Sequence, residues 1–328
     1  MRPPLTRADI AAITPMLASL ADPSTADELL ALLRILYAIG RRDLPLARLV
    51  EGHVDALQIV HRYGTAAQAR AAAAAARDGG AFGVWNADQP GDGTRLDDAG
   101  RLSGAKSFAS GAGLLSHALI SVDGDGGRQL LLVDLATAPP AIDRTWWKVT
   151  GMQRSETHIA IWATMAIPDD AAIGAPGDYV REPFFSGGAL RFAAVQAGGI
   201  AAVADGVRDH LNHTKRAADP HQAARLADLY GHAQAAADAV RGAALGWAGD
   251  DPTGTIARVS AARVAVYRAG EAVLAIAPAA IGVQAMFVDH PIAPTLTDLA
   301  TYLRQPNPDG QRMAVGAAVA TGLLAPTL

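Results

Sequence analysis

The spacing of apolar and polar positions divides the chain into three regions. From residue 5 to residue 80, apolar side chains recur every three or four positions, as in the leucine-rich run Leu29–Leu36. A second amphipathic run spans Leu44–Tyr63, and an alanine-rich run covers Ala66–Arg77. Gly64-Thr65 combines a helix stop with a new N-cap. The pattern predicts three helices in this region.

Glycine, proline and aspartate cluster between residues 81 and 177, where they separate short apolar runs. Short runs bounded by turn residues are typical of strands. The runs 118–122 and 129–135 are divided by Asp123–Gly127, a strong hairpin signal. This region is therefore predicted to be a β-domain.

Long alanine-rich runs return after about residue 179, with proline or glycine near their ends. They cover residues 192–215, 220–247, 252–275 and 294–303. Such a set favours an antiparallel bundle. The predicted fold class is α+β, with an N-terminal helical domain at 1–80, a central β-domain at 81–177 and a C-terminal helical bundle at 178–328.

Composition narrows the class of protein. Half of the residues are hydrophobic and the net charge is only -4, so the chain can form a large core and gives no electrostatic argument for a nucleic acid or a membrane partner. The lack of cysteine excludes disulfides and thiolate chemistry and fits a reducing cytoplasm. No run of about 18 uncharged apolar residues is present. We expect a cytoplasmic protein.

Metal and nucleophile chemistry find little support in the sequence. His210 and His213 share one face of a predicted helix, but no carboxylate or cysteine spacing completes a metal site, so no metal is predicted. Gly91-Asp92-Gly93 precedes no helix that could bind a pyrophosphate. No Ser-His-Asp elbow is visible.

Two motifs carry a resemblance to a known family. The first is LSGAKSFASG at Leu102–Gly111, and the second is GMQRSET at Gly151–Thr157, followed ten residues later by Ile167-Pro168. Weaker matches are Phe82–Asn86 and Leu296–Tyr302. Over nearly its whole length the chain resembles the acyl-CoA dehydrogenases and the related reduced-flavin monooxygenases.

The resemblance implies a fold, an assembly and a cofactor. The fold would have N-terminal helices, a β-barrel-like central domain and an antiparallel four-helix C-terminal bundle, through which homodimers or homotetramers would form. The cofactor would be FAD, with FMN as the alternative. The motif matches give the flavin-binding candidates Trp85, Phe108, Ser110, Arg216 and Gly282. From the residues alone, the two aromatic rings could equally be β-domain core, Arg216 a helix-end charge and Gly282 a helix stop.

Dehydrogenation of an acyl-CoA requires a carboxylate base placed over the acyl chain. Many dehydrogenases of the family carry a glutamate shortly after the helix that Leu296–Tyr302 resembles. Here Gln305 aligns with that position, and Asp309 is out of register. Some family members place the base on an earlier helix, where Asp205 and Asp209 are the nearest carboxylates. Both are better explained as solvated helix-face charges.

Flavin monooxygenation requires donors that keep the site protonated and dry. In the related monooxygenases these donors are histidine, serine and asparagine, and the corresponding residues here are His53, Asn86 and Ser110. They are the predicted catalytic residues. His53 could instead be a satisfied core histidine, Asn86 a strand-end turn residue and Ser110 a strand hydroxyl.

The sequence is compatible with three functions. The preferred one is a flavin-dependent oxidoreductase that oxidises an acyl thioester, such as an acyl-CoA, or a similar small organic substrate. Its catalytic base would be relocated or atypical. The first alternative is a reduced-flavin monooxygenase, which requires a flavin reductase; a dehydrogenase would require an electron-transfer partner. The second is a flavin-free partner subunit. It is favoured by an N-terminal helical region that is shorter than in the family, by the segment 279–283, which keeps one glycine of the family's Q-x-x-G-G-x-G motif, and by the absence of the family glutamate.

Overall fold

The computed structural model describes residues 3–18, 22–124, 126–247 and 251–326. Its N-terminal helices are α1 (Arg7–Ala11), α2 (Thr14–Leu17), α3 (Ala26–Arg42), α4 (Leu44–Tyr63) and α5 (Ala66–Arg77). The three predicted helices correspond to α3, α4 and α5. Thr25 and Thr65 cap α3 and α5 through reciprocal bonds with Glu28 and Gln68, and the cap at Thr65 is the one that the sequence predicted.

The central region forms two four-stranded sheets. The strands are β1 (Phe82–Trp85), β2 (Arg95–Leu96), β3 (Arg101–Ala109), β4 (His117–Gly124), β5 (Gly127–Asp134), β6 (Ala141–Asp143), β7 (His158–Ala166) and β8 (Ala172–Ile173). One sheet has the order β1-β4-β5-β8 and the other β2-β3-β7-β6. β1 pairs with β4 in parallel, and the other pairs are antiparallel. The predicted hairpin joins β4 to β5.

The C-terminal region is helical. Its helices are α6 (Phe184–Gly187), α7 (Ala189–His213), α8 (Pro220–Leu245), α9 (Pro252–Ile281), α10 (Ala293–Tyr302) and α11 (Pro308–Ala320). α9 extends past the predicted end at residue 275 because Pro278 is tolerated near its C-terminal end. The sequence did not predict α11. This helix buries only Ala318 among its residues, so it carries no apolar stripe of the kind that identifies a helix.

Helix α7 lies at the centre of the helical core, where it packs against α3, α8 and α9. Small residues permit the close approach of α7 and α3. A side chain on Gly198 would overlap the backbone of Tyr37, and one on Gly40 would overlap that of Val195. The β-domain has a separate core that includes Trp85 and Trp162.

Two helical segments of the described chain are long and apolar enough to cross a membrane, namely Phe184–His213 and Pro252–Ile281. In their most apolar windows, 83% and 44% of the residues are buried. The first therefore has the burial of a core helix. Neither segment contains a run of about 18 uncharged apolar residues, because arginines interrupt both.

Candidate active site

A cleft of about 640 Å³ opens between α4, the ends of β1 and β3, and the C-terminal helices. Its size is that of an ordinary small-molecule or cofactor site. The charged side chains that line it are Arg48, Arg62, Arg191, Arg263, Glu51 and Asp55. Four arginines therefore line the cleft with two carboxylates, and Arg62 pairs with a third carboxylate, Asp22, outside the lining, so the cleft keeps a net positive charge.

One face of α4 supplies three of these charges, because Arg48, Glu51 and Asp55 are spaced by three and four residues. Arg48 pairs with Glu51, and Arg191 of α7 pairs with Asp55. Arg191 also donates a 2.5 Å hydrogen bond to the side-chain oxygen of Gln58. Burial raises the pKa of the Glu51 carboxyl, although Arg48 opposes the shift. Both cleft carboxylates are thus held by arginines.

Several buried polar atoms on cleft side chains have no hydrogen-bond partner in the described part of the chain. They are Nε of Arg48, Nε of Arg191, Oη of Tyr63 and Oη of Tyr302. Tyr302 comes from the end of α10 and is almost fully buried, which raises the pKa of its phenol. Buried donors in proteins are nearly always satisfied. These donors suit a ligand that carries acceptor atoms, such as the ring carbonyls of a flavin.

Phe108 provides an aromatic surface at the cleft. The pairing of β3 with β7 shifts register between Lys106 and Ala109, and Phe108 lies at this irregularity with φ at 53°. Its ring is consequently 49% exposed although its neighbours in the strand are buried. The ring meets Trp146 edge-on at 4.8 Å between centroids. Strained backbone of this kind is concentrated at functional sites.

Asn86 lines the cleft directly after β1, and the chain around it is held firmly. Its side-chain oxygen accepts a 3.1 Å bond from Arg128. Its backbone carbonyl accepts bonds from Lys106 at 3.3 Å and from Ser121 at 3.1 Å. Lys106 is fully buried and forms a 2.6 Å ion pair with Asp88. The buried lysine therefore fixes the segment that follows β1.

Three predicted site residues lie outside the cleft lining. His53 is fully buried, accepts a 3.2 Å bond at Nδ1 from the amide of Phe82, and is kept neutral by burial, which lowers its pKa to about 4. Trp85 is in the β-domain core and donates to the carbonyl of Ser110 at 3.0 Å. The Ser110 hydroxyl is buried and accepts a 3.0 Å bond from Thr157. Their proposed roles in chemistry stay predictions.

The remaining two candidates are also absent from the lining of this cleft. Arg216 follows the C-terminus of α7, and Gly282 ends α9 with φ at 90°, a conformation that glycine adopts easily. Of the predicted residues, the structure brings only Asn86 and Phe108 to the cleft. The charged face of α4 was not predicted from the sequence, although its polar residues interrupt an otherwise apolar helix.

The two family-like motifs meet in space. The hydrogen bond between Thr157 and Ser110 links the segment Gly151–Thr157 to the end of β3. The amide of Met152 in the same segment donates a 2.5 Å bond to Asp298 of α10. The motifs therefore join the β-domain to the helix that ends at Tyr302.

The residues considered for the position of a catalytic base differ in whether they line the cleft. Gln305 lines the cleft. Asp309 is 86% exposed at its side chain and lies 3.4 Å from Arg312. Asp205 is paired with Arg41 at 2.6 Å and, like Asp209, lines a different pocket.

Comparison with known proteins gives structural matches alone. No family model and no curated sequence matches the chain. Butyryl-CoA dehydrogenase from Megasphaera elsdenii superposes with a TM-score of 0.76 at 16% identity, over 88% of this chain and 81% of that one. Dibenzothiophene monooxygenase from Paenibacillus sp. A11-2 gives 0.78 at 17% identity, over 91% and 84%. Methanesulfinate monooxygenase from Pseudomonas fluorescens gives 0.78 at 16% identity, over 98% and 96%.

These matches show that the chain has the acyl-CoA dehydrogenase fold. Sequence identities of 16–17% support a shared fold but do not show a shared activity. The activity therefore has to be inferred from the site.

Proposed function

We propose that the protein is a flavin-dependent monooxygenase that uses reduced flavin and oxygen. The observation that carries the proposal is the state of the cleft carboxylates. Glu51 and Asp55 are each paired with an arginine, and glutamine occupies position 305. Dehydrogenation requires a carboxylate free to take a proton from the carbon next to the thioester. Oxygenation has no such requirement.

The cleft residues fit a flavin. Phe108 offers a ring face for the isoalloxazine, and Asn86 lies beside it on the segment fixed by Lys106. The unpartnered donors of Arg48, Arg191 and Tyr302 match acceptor atoms of a flavin or a substrate. Bound reduced flavin would supply two electrons for the reduction of oxygen, with one oxygen atom passing to the substrate and the other leaving as water.

The structural matches support this choice in two ways. Methanesulfinate monooxygenase matches this chain over almost the full length of both proteins, whereas butyryl-CoA dehydrogenase matches over less of each. The dibenzothiophene monooxygenase has also been solved with FMN bound. Both FMN and FAD should therefore be tested as the bound flavin.

An acyl-CoA dehydrogenase is the second candidate, and Glu51 favours it. Burial raises the pKa of this carboxyl, and perturbed carboxyl groups of this kind are concentrated at functional sites. For Glu51 to act, Arg48 would have to release it. The third candidate is a non-catalytic partner subunit that has lost flavin binding.

We propose a homodimer or homotetramer in the cytoplasm, served by a separate flavin reductase. The support for self-association is the exposed apolar surface at the end of α9, formed by Val283, Met286, Phe287 and Val288. Patches of this kind are usually covered by a partner.

The experiment compares two reactions of the same purified protein. The protein is loaded with FMN or FAD, and an acyl-CoA series is added without oxygen while the flavin absorbance is recorded. In parallel, a reductase supplies reduced flavin in air, and oxygen incorporation into a panel of small organic substrates is followed by mass spectrometry. Oxygen incorporation without bleaching by acyl-CoA supports the proposal. Bleaching by acyl-CoA identifies a dehydrogenase, and no flavin binding identifies the partner subunit.

A further inference from the structure

The arginines of the cleft differ in how their charge is neutralised. Three of them have a carboxylate partner, in the pairs Arg48–Glu51, Arg191–Asp55 and Arg62–Asp22. Arg263 of α9 forms no ion pair with any described residue. Its charge is therefore the surplus positive charge of the cleft.

The guanidinium of Arg263 is held in a defined orientation. One nitrogen donates a 2.5 Å hydrogen bond to the carbonyl of Pro306, and the group lies over the ring of Phe192, 4.9 Å from the ring centre. A guanidinium has five N–H donors, so most of its donors remain for other acceptors. Burial lowers the pKa of Arg263 to about 10, which leaves it charged at neutral pH.

Among the described residues no carboxylate pairs with Arg263, and neutral hydrogen-bonding groups line the cleft with it. Ser260, one turn earlier on α9, lines the cleft, and Gln305 and Gln311 also border a smaller pocket together with Arg263. The acidic residues of the adjoining segments have other partners: Asp309 is exposed and lies 3.4 Å from Arg312, and Glu271 of α9 pairs with Arg304 at 2.6 Å. A half-buried cation without a counterion is costly unless a ligand provides one.

We propose that Arg263 recognises an anionic group of the substrate at the end of the cleft formed by α9 and the segment between α10 and α11. The group is a carboxylate, a sulfonate or a phosphate, which a fixed guanidinium can bind through two parallel hydrogen bonds. The inference rests on the proposed function, because the substrate shares the cleft with the flavin. A flavin phosphate has the same chemistry, and the experiment separates it from the substrate.

The test measures binding of matched probes by calorimetry to the full-length protein, with and without FMN. The probes are octanoate and octanesulfonate, which are anionic, and octanamide, which is neutral. We expect the wild type to bind the anions roughly tenfold or more tightly than the amide. In Arg263→Gln this preference should disappear while the affinity for octanamide stays unchanged. Arg263→Lys keeps the charge and should retain part of the preference.

The controls separate folding, flavin binding and substrate binding. Arg268→Gln changes an exposed arginine of the same helix and should behave as wild type. The affinities for FMN and for riboflavin, which lacks the phosphate, should both be unaffected by Arg263→Gln. A selective loss of FMN affinity would overturn the substrate assignment, as would equal binding of anionic and neutral probes by the wild type. Anion selectivity in a protein that binds no flavin would refute the proposed function and leave the anion site standing.

Discussion

The backbone amide of Met152 donates a 2.5 Å hydrogen bond to the carboxylate of Asp298. Both residues are buried, one in the segment before β7 and the other in α10. The bond fixes the β-domain against the helix that carries Tyr302 into the cleft. The cleft wall thus depends on a contact between two parts of the chain that are 146 residues apart.

The same contact makes Gly151 sensitive to substitution. A side chain at this position would overlap the carbonyl oxygen of Thr297, which is backbone and cannot rotate away. We expect Gly151→Ala to lower the free energy of unfolding by about 3 kcal/mol in denaturant titrations. Gly231→Ala is the matched control, because Gly231 lies in α8 with open space around it. That change should raise stability by about 1 kcal/mol, and equal effects of the two variants would contradict the packing argument.

His53 should make stability dependent on pH. Burial lowers its pKa from 6.5 to about 4, so between these values the unfolded chain binds a proton that the folded chain does not. The free energy of unfolding should therefore fall as the pH decreases from 6.5 to 4, by up to about 3 kcal/mol from this residue. The measurement is chemical denaturation over that pH range.

His53→Asn isolates this contribution. Asparagine cannot titrate, yet its side-chain oxygen can accept the bond that Nδ1 of His53 receives from the amide of Phe82. The variant should lose most of the extra slope between pH 6.5 and 4. His221→Asn, at an exposed position on α8, should keep the wild-type slope. An unchanged slope in His53→Asn would show that the histidine does not carry the effect.

Much of the architecture could be predicted from local sequence. The threonine caps with Glu28 and Gln68, and the turn at Asp123–Gly127, act over a few residues and indicate element boundaries directly. Helix α11 lacked such a signal because it buries almost no side chain. The two motifs that carry the resemblance lie where the sheet meets the helices, since hydrogen bonds from Thr157 and Met152 connect these parts, but the sequence did not predict this contact.

The site was harder to predict because it depends on which side chains face one cleft. Trp85 and Phe108 are both aromatic residues at strand ends, yet only Phe108 is turned outward by the irregularity in β3. The pairing of Arg191 with Asp55 joins α7 to α4 across 136 residues. No local pattern in the sequence predicts that pairing.

Glu51→Gln separates the two candidate reactions. If oxygenation is the function, turnover with reduced flavin and oxygen should remain within a few-fold of wild type, whereas a general base would lose roughly 100-fold or more. Stability should fall by about 3 kcal/mol because Arg48 loses its partner, so rates are compared where circular dichroism shows the variant folded. Glu271→Gln, at an exposed pair with Arg304, is the control.

Phe108→Ala tests the aromatic surface of the cleft. Because the ring is 49% exposed, its removal should change stability little, while flavin affinity should weaken roughly tenfold. Fluorescence quenching of FMN and FAD gives the affinity. Tyr230→Ala removes an exposed ring from α8 and should leave the affinity unaltered. An unaffected dissociation constant in Phe108→Ala would exclude this ring from the flavin site.

The assignment of the cleft as a flavin site is tested by an anaerobic titration of the protein with reduced and with oxidised flavin. We predict that reduced FMN or FAD binds at micromolar concentration, at least tenfold more tightly than the oxidised form. On exposure to oxygen, the bound reduced flavin should be oxidised. If neither redox form binds at that concentration, the assignment of the cleft as a flavin site is wrong.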